Sequence, residues 1–197
     1  MVIRQSTPED LPEILRLIAA ARAFMVEHGN PSQWPEGYPS AEQLSSDIAR
    51  GHSYVCVAPE YAGLVGTFYF AVEEEPSYQH IEGRWLNDNP YGVIHRLASD
   101  GRVRGLFREC LAFASKHCSE LRVDTHEDNA PMRQLLVAEG FVRDDDILQG
   151  LDIACRGSLA DDVQPAEDLQ AVNGYRFVKA AVGAILLDKS LDERRHR

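Results

Sequence analysis

The sequence has no long hydrophobic run, and it contains fewer basic than acidic residues. None of its apolar stretches reaches the roughly 18 residues that a membrane-spanning helix needs. The first residues, Met1-Val2-Ile3-Arg4-Gln5, lack the apolar core of a secretion signal, so we expect a cytoplasmic protein. With 20 Lys and Arg against 31 Asp and Glu, the net charge is −11. This acidity argues against nucleic acid as a partner and favours amine-bearing or cationic ones.

Cysteine is scarce as well, which excludes several kinds of site. The chain has four cysteines, and none of them forms a C-x-x-C pair. No group of cysteine, histidine and acidic residues has the spacing of a zinc or iron site, so we expect no metal. The four thiols are predicted to be reduced and to serve as small hydrophobic residues. They are Cys56, Cys110, Cys118 and Cys155.

The chain of 197 residues, 44% of them apolar, is long enough to bury one good core. Its first third alternates strand and helix patterns. A strand is predicted at residues 2–5, and Thr7 followed by Pro8 is typical of a helix start. A second helix is predicted after Ser40, where Gln43 completes a capping box. Two antiparallel strands are predicted at residues 54–57 and 64–72.

The most informative stretch covers residues 91–141. The apolar run Val93-Ile94-His95-Arg96-Leu97-Ala98 predicts a strand, and an amphipathic helix pattern begins near Leu106. Between them lies the glycine loop, which we define as residues 99–105. Glycines between a strand and a helix start allow backbone N–H groups to face an anion. Arg102, Arg104 and Arg108 add three positive charges there. The pattern predicts a site for a phosphate-bearing ligand.

These residues resemble two motifs of the GNAT superfamily of acetyl-CoA-dependent N-acetyltransferases. The run Arg102-Val103-Arg104-Gly105-Leu106-Phe107 is similar to the family's pyrophosphate-binding loop, Arg/Gln-x-x-Gly-x-Gly/Ala, except that Phe107 replaces a small residue. Asn129, followed by a helix pattern ending at Gly140-Phe141, resembles its third motif. The resemblance covers roughly residues 1–141. It implies an α/β fold in which helices flank a central mixed β-sheet.

The resemblance also implies a reaction and a binding site. The reaction is the direct attack of an amine, on a small molecule or a peptide, on the thioester of acetyl-CoA. A non-catalytic acyl-CoA-binding or regulatory module with the same fold is the alternative. The backbone of the central strand would face the thioester, and the glycine loop and Asn129 would hold the rest of the co-substrate. The implied binding residues are Leu97, Arg102, Val103, Arg104, Gly105, Leu106, Phe107 and Asn129.

The family's usual acid is missing from this sequence. That acid is a tyrosine four residues before the Gly-Phe pair, and the position is occupied here by Leu136. We therefore consider three residues as catalytic candidates: His95, His126 and Asp124. Asp124 lies two residues before His126 and on the same strand face. Glu82 is a weaker candidate. A neutral histidine suits a base that works near neutral pH. A structural, hydrogen-bonded role is the other interpretation of each histidine.

The segment Gln33-Trp34-Pro35-Glu36-Gly37-Tyr38-Pro39 is a loop, since two prolines and a glycine interrupt regular structure. Similar segments occur in some bacterial GNAT-like proteins. Trp34 and Tyr38 are candidates for the wall of the acceptor pocket. Packing of the loop onto the core is an equally good explanation of the two rings.

The resemblance ends after Phe141. We predict a GNAT-like domain over residues 1–150 and, as part of the same domain, a C-terminal extension over residues 151–197. A polar connection is followed by an apolar stretch, residues 175–187, which fits a displaced last strand, a helix on the sheet or a contact in a homodimer.

Overall fold

A single seven-stranded sheet organises the protein. The computed structural model describes residues 1–78, 89–143 and 174–180. The strand order is β1-β2-β3-β4-β5-β7-β6, and each neighbouring pair is antiparallel except β4 and β5, which are parallel. The strands are β1 Val2–Gln5, β2 Ser53–Val57, β3 Leu64–Val72, β4 Gly92–Ser99, β5 Glu120–His126, β6 Val142–Arg143 and β7 Gly174–Ala180. The predicted mixed α/β sheet is confirmed.

In the part of the chain that the structure describes, four α-helices and two 3-10 turns accompany this sheet. The helices are α1 Leu11–Glu27, α2 Ala41–Ala49, α3 Leu106–Ala114 and α4 Ala130–Ala138. The 3-10 turns are Pro8–Asp10 and Pro76–Tyr78. One core packs α1 and α2 against the sheet, and a second core on the other face contains residues of α3 and α4. No helix in the described ranges is long and apolar enough to cross a membrane.

Local sequence signals explain where the first helices begin. Thr7 and Asp10 form a capping box around the 3-10 turn that leads into α1. The Ser40 hydroxyl accepts a hydrogen bond from the Gln43 backbone N–H at 3.1 Å, which satisfies a free amide at the start of α2. These caps fix the helices whose inner faces pack beside the candidate site.

Strand β4 is irregular at the point that matters for function. Thr67 lies opposite Ala98 but Tyr69 lies opposite His95, so β4 contains one residue more than β3 over this span. The bulge includes Arg96, whose φ of +49° is left-handed. On its other side, β4 pairs with β5 only through Gly92 with Leu121 and Val93 with Arg122 in the described ranges. The two strands therefore separate beyond Val93 and open a gap.

The C-terminal stretch contributes a strand to the sheet. Of the interpretations left open by the sequence, the strand applies to residues 174–180, which form β7 between β5 and β6. The polar connection and the rest of the apolar stretch lie outside the described residues. Cys56, Cys110 and Cys118 are free thiols.

Candidate active site

A cavity of about 960 Å³ lies against the sheet face that carries α1 and α2. We call it the acceptor cavity. Residues from the 32–38 loop, from α2, from β3 and the segment after it, from the middle of β4 and from the end of β5 line it. A smaller cavity of about 90 Å³ lies in the gap between β4 and β5 and is lined by Leu97, Thr125 and Met132, among others. Trp34, Tyr38, His95, Arg96 and Asp124 line both spaces, so the two cavities adjoin.

His95 lies between two carboxylates in the acceptor cavity. Its Nδ1 is 2.9 Å from Oδ1 of Asp124, and its Nε2 is 3.2 Å from Oε2 of Glu75. Asp124 also accepts a hydrogen bond of 2.7 Å from the Tyr78 hydroxyl. We call these four residues the His95 cluster. The structure thus brings together two of the predicted catalytic residues, His95 and Asp124, and adds two that the sequence did not indicate.

This arrangement favours a protonated imidazole. A neutral histidine has one donor nitrogen and one acceptor nitrogen, whereas both nitrogens of His95 face carboxylate oxygens. Burial lowers the pKa of His95, but Asp124 and Glu75 outweigh burial and raise it to about 9. Burial raises the pKa of Asp124, and His95 and Tyr78 outweigh it and hold that pKa below its usual range. At neutral pH His95 is therefore a cation with a proton on both ring nitrogens, whereas the sequence analysis considered a neutral histidine as the base.

A buried layer beneath the cluster holds Glu75 in position. The Tyr91 hydroxyl accepts a hydrogen bond of 3.0 Å from the Glu75 backbone N–H. The guanidinium of Arg122 lies 3.7 Å from the centre of the Tyr91 ring and pairs with Glu120 at 2.9 Å. Both members of that ion pair are almost fully buried. The backbone at Glu75 is thus tied to β5 through Tyr91, which restricts the position of its carboxylate.

His126 lines the same cavity from the last position of β5 and contacts the turn that follows. Its Nδ1 lies 3.2 Å from the Asp128 backbone nitrogen, and its Nε2 lies 3.4 Å from the Ser32 hydroxyl. Asp124, which the sequence placed on the same strand face, pairs with His95 instead. Glu82 lies outside the described residues.

The aromatic loop both packs on the core and forms the cavity wall. Trp34 is 8% exposed and belongs to the core beneath α1 and α2, while Tyr38 is 37% exposed. Gln33 ties the loop to α4, because its Oε1 accepts a hydrogen bond from Asn129 Nδ2 at 2.8 Å. Asn129 Oδ1 also accepts from the Met132 backbone N–H at 3.1 Å and caps α4. Trp34 thus packs in the core and also lines the cavity, whereas Tyr38 lines the cavity and is partly exposed. Binding of the acceptor by these two rings stays a prediction.

The glycine loop has the backbone geometry of an anion cradle. Gly101 and Gly105 have φ values of +76° and +74°, which other residues rarely adopt. A Cβ built at either position would meet no atom within 4 Å, so open space borders both glycines. The first intrahelical bond of α3 comes from Glu109 to the Gly105 carbonyl at 3.2 Å. Amides earlier in the turn have no acceptor within the helix. These features fit a bound pyrophosphate.

The three arginines near this loop differ in their contacts. Arg102 donates to Asp100 and to the carbonyls of Ala62 and Leu64, at distances between 2.7 and 3.1 Å. Arg108 makes two bonds, of 2.9 and 2.7 Å, to Oε1 of Glu139. Arg104 is exposed and has no such partner among the described residues. The sequence indicated three available cations, but two of them are already paired within the protein.

The side chain of Phe107 points away from the loop. It is 5% exposed and packs in the core on the α3 and α4 face. In the sequence, this large residue replaces the small one of the family's loop. Because the ring is buried in the core, it does not fill the open space that borders Gly105.

Comparison with solved structures identifies the fold. An acetyltransferase of the GNAT family from Streptococcus agalactiae aligns with a TM-score of 0.68 and 25% identity, covering 91% of this chain and 94% of that one. A GNAT-family acetyltransferase from Listeria monocytogenes aligns with a TM-score of 0.61 and 17% identity. The alignment covers 91% of this chain and 94% of that one. A chain of the NatC complex, solved with Gag peptide and CoA, aligns with a TM-score of 0.51 and 14% identity. The alignment covers 92% of this chain and 98% of that one.

This protein has the GNAT fold. The predicted relationship to the GNAT superfamily is thereby confirmed. No protein-family model and no curated protein matches the sequence. The alignment with the streptococcal structure covers more of the chain than residues 1–141, on which the sequence resemblance was based.

Within this GNAT fold, the position of the family's tyrosine is a core position. Leu136 is fully buried among residues of α3, α4 and the sheet, and it cannot exchange a proton. A tyrosine does enter the site, but it comes from residue 78, after β3. The sequence offered little signal for this contact, because Tyr78 and Asp124 are 46 residues apart.

Proposed function

We propose that this protein is an N-acetyltransferase that transfers an acetyl group from acetyl-CoA to an amine of a small molecule or a peptide by direct attack. The observation that carries this proposal is the gap between β4 and β5, which adjoins a cavity with proton-transfer groups. A GNAT structure solved with CoA, the NatC complex, supports CoA as the group that this fold binds. The glycine loop fits the pyrophosphate, and the separated backbone of β4 near Leu97 faces the gap.

The His95 cluster can move the proton that the reaction releases. An amine nitrogen becomes strongly acidic once it has attacked a carbonyl carbon. Glu75 accepts that proton, and His95 donates its own to the departing thiolate and is reprotonated through its 3.2 Å contact with Glu75. A pKa of about 9 suits this role, because it is close to the value of about 8.5 for an ordinary thiol. Asp124 and Tyr78 hold the imidazole in position.

The cluster also provides a site for the cationic form of the acceptor. Glu75 and Asp124 are negative, and His95 supplies one positive charge, so the three groups carry a net charge of −1. An ammonium group is attracted to such a site, and it must release one proton to solvent before its nitrogen can attack the thioester. Orientation of the amine against the thioester can itself supply much of the rate acceleration.

The test combines a binding measurement with a turnover assay. We expect calorimetry to detect CoA binding, and we expect release of the CoA thiol from acetyl-CoA to depend on an added amine. A panel of small amines, amino acids and short peptides would be screened. CoA binding without thiol release for any acceptor would favour the non-catalytic acyl-CoA-binding module. If CoA does not bind even at millimolar concentration, both functions are excluded.

A further inference from the structure

A second charged cluster lines the acceptor cavity, and the proposed chemistry does not use it. Asp47 of α2 is 2% exposed and forms two ion pairs. Its Oδ2 lies 2.7 Å from a terminal nitrogen of Arg96, and its Oδ1 lies 3.0 Å from one of Arg50. Two guanidinium groups thus share one carboxylate at the wall of the cavity.

Most of the hydrogen-bond donors of these two arginines remain available. A guanidinium has five N–H groups, and each arginine makes one hydrogen bond within the described ranges, to Asp47. The Nε of Arg96 is buried and has no partner there. A buried donor without an acceptor is rare in native proteins and calls for an explanation. The donors that a ligand in the cavity can reach most readily are those of Arg50, whose side chain is half exposed.

The backbone and a neighbouring ring fix the position of Arg96. Its φ of +49° is unfavourable for an arginine and occurs at the bulge of β4. Its guanidinium lies 4.6 Å from the centre of the Tyr69 ring, and that of Arg50 lies 5.8 Å from it. Strained residues that surrounding contacts hold in place are concentrated at ligand sites. Glu73 accepts a hydrogen bond from the Tyr69 hydroxyl and forms none with either arginine in the described ranges.

We propose that Arg50 and Arg96 bind a carboxylate of the acceptor, so that the acceptor is a small amine of the amino-acid type. This inference rests on the proposed function and narrows its substrate class. Arginine presents N–H groups in a planar fork that matches a carboxylate. The amine of such a molecule would face Glu75 and Asp124, while its carboxylate would face the two guanidinium groups. An acceptor without an anionic group leaves the two guanidinium groups with Asp47 as their one carboxylate partner in the described ranges.

The test compares amino acids with their amides. The amide retains the amine and the size of the molecule and removes the negative charge. We expect kcat/KM to be at least about tenfold higher for the acids, since hydrogen bonds to charged groups typically contribute that much. Arg50→Gln should raise the KM for the acids by a similar factor and so remove most of the preference. Arg50→Lys, which keeps the charge without the fork, should recover only part of it.

Arg4→Gln is the matched control, because Arg4 also forms a partly exposed pair with an aspartate, Asp10, at 2.7 Å. That pair caps the first 3-10 turn and does not line the acceptor cavity, so the preference should stay unchanged.

Equal use of acids and amides, with no change of the ratio in Arg50→Gln, would overturn the carboxylate site. Failure of every amine, acid or amide, to release CoA would instead contradict the proposed function. Calorimetry with N-acetylated amino acids and their amides tests the carboxylate site without turnover, and equal affinities would refute it.

Discussion

The glycine loop and the His95 cluster both adjoin strand β4, yet they are built in opposite ways. The loop is one continuous stretch of sequence, and it offers backbone amides and open space beside two glycines. The cluster consists of side chains from three separate segments of the chain, and its members are Glu75, Tyr78, His95 and Asp124. One site depends on backbone conformation, and the other depends on the identity of each side chain.

This difference determines how tolerant each region is to substitution. Phe107 departs from the family pattern, but its ring lies in the core and does not fill the open space beside the loop glycines. In the cluster, by contrast, the charge of His95 depends on both carboxylates, so the loss of one group alters the others. We therefore expect substitutions in the cluster to affect turnover and substitutions in the loop to affect CoA binding.

The largest expected effect comes from Glu75→Gln, which keeps the size of the side chain but cannot accept a proton. Turnover should fall by roughly 100-fold or more, the usual contribution of a positioned base, while CoA affinity stays the same. Steady-state kinetics and calorimetry would measure the two quantities. Glu74→Gln is the matched control, because Glu74 is exposed and precedes Glu75 directly.

An equal loss of turnover in the Glu74 and Glu75 variants would indicate a general effect of charge on the acceptor. Undiminished turnover in Glu75→Gln would show that the proton leaves through water or the substrate. Either result would remove the contrast between a binding loop and a catalytic cluster. A loss of CoA affinity in Glu75→Gln would also contradict the proposed difference, since both the glycine loop and the His95 cluster would then serve binding.

The order of helices and strands could be predicted because local signals determine it. The strand at residues 93–98, the glycine loop and the helix from Leu106 follow directly from apolar spacing and glycine placement. The cap at Ser40 was likewise predicted and is present. The resemblance to the GNAT superfamily then supplied the sheet that these elements form, and the structure confirms it.

The contacts of the site could not be predicted, because they depend on register and on the bulge of β4. One extra residue in β4 changes which residues of β3 and β4 face each other, and this places His95 opposite Tyr69. The sequence placed Asp124 only on the same strand face as His126, and its contact with His95, on a neighbouring strand, was not predicted. The pairing of Arg102 with Asp100 and of Arg108 with Glu139 was not foreseen either.

The second prediction concerns the pH dependence of stability. Because the folded-state pKa of His95, about 9, exceeds the ordinary value of 6.5, its ion pairs stabilise the fold fully below pH 6.5. That stabilisation, on the order of 2–3 kcal/mol, should be lost as the pH rises through about 9. Urea unfolding at a series of pH values would measure it. The decline should be weaker in His95→Gln and unchanged in His28→Gln, which alters an exposed histidine that caps α1. If the parent protein shows no decline, then His95 is not held as a cation, and its role as an acid is refuted.

The smallest expected effect is a loss of CoA affinity on substitution of an arginine in the glycine loop. The size of this loss should differ between Arg104 and Arg102. Arg104→Ala should weaken CoA binding by about 1–2 kcal/mol and reduce its salt dependence, because this exposed guanidinium is available for a phosphate. Arg102→Ala should weaken it less, since Arg102 is already bound to Asp100 and to two carbonyls. Calorimetry with CoA and with phosphate-free pantetheine at two salt concentrations would measure both losses.

Equal losses for the two ligands would show that neither arginine contacts phosphate. A larger loss for Arg102 would mean that the loop rearranges when CoA binds, and binding would then depend on side chains in this region too.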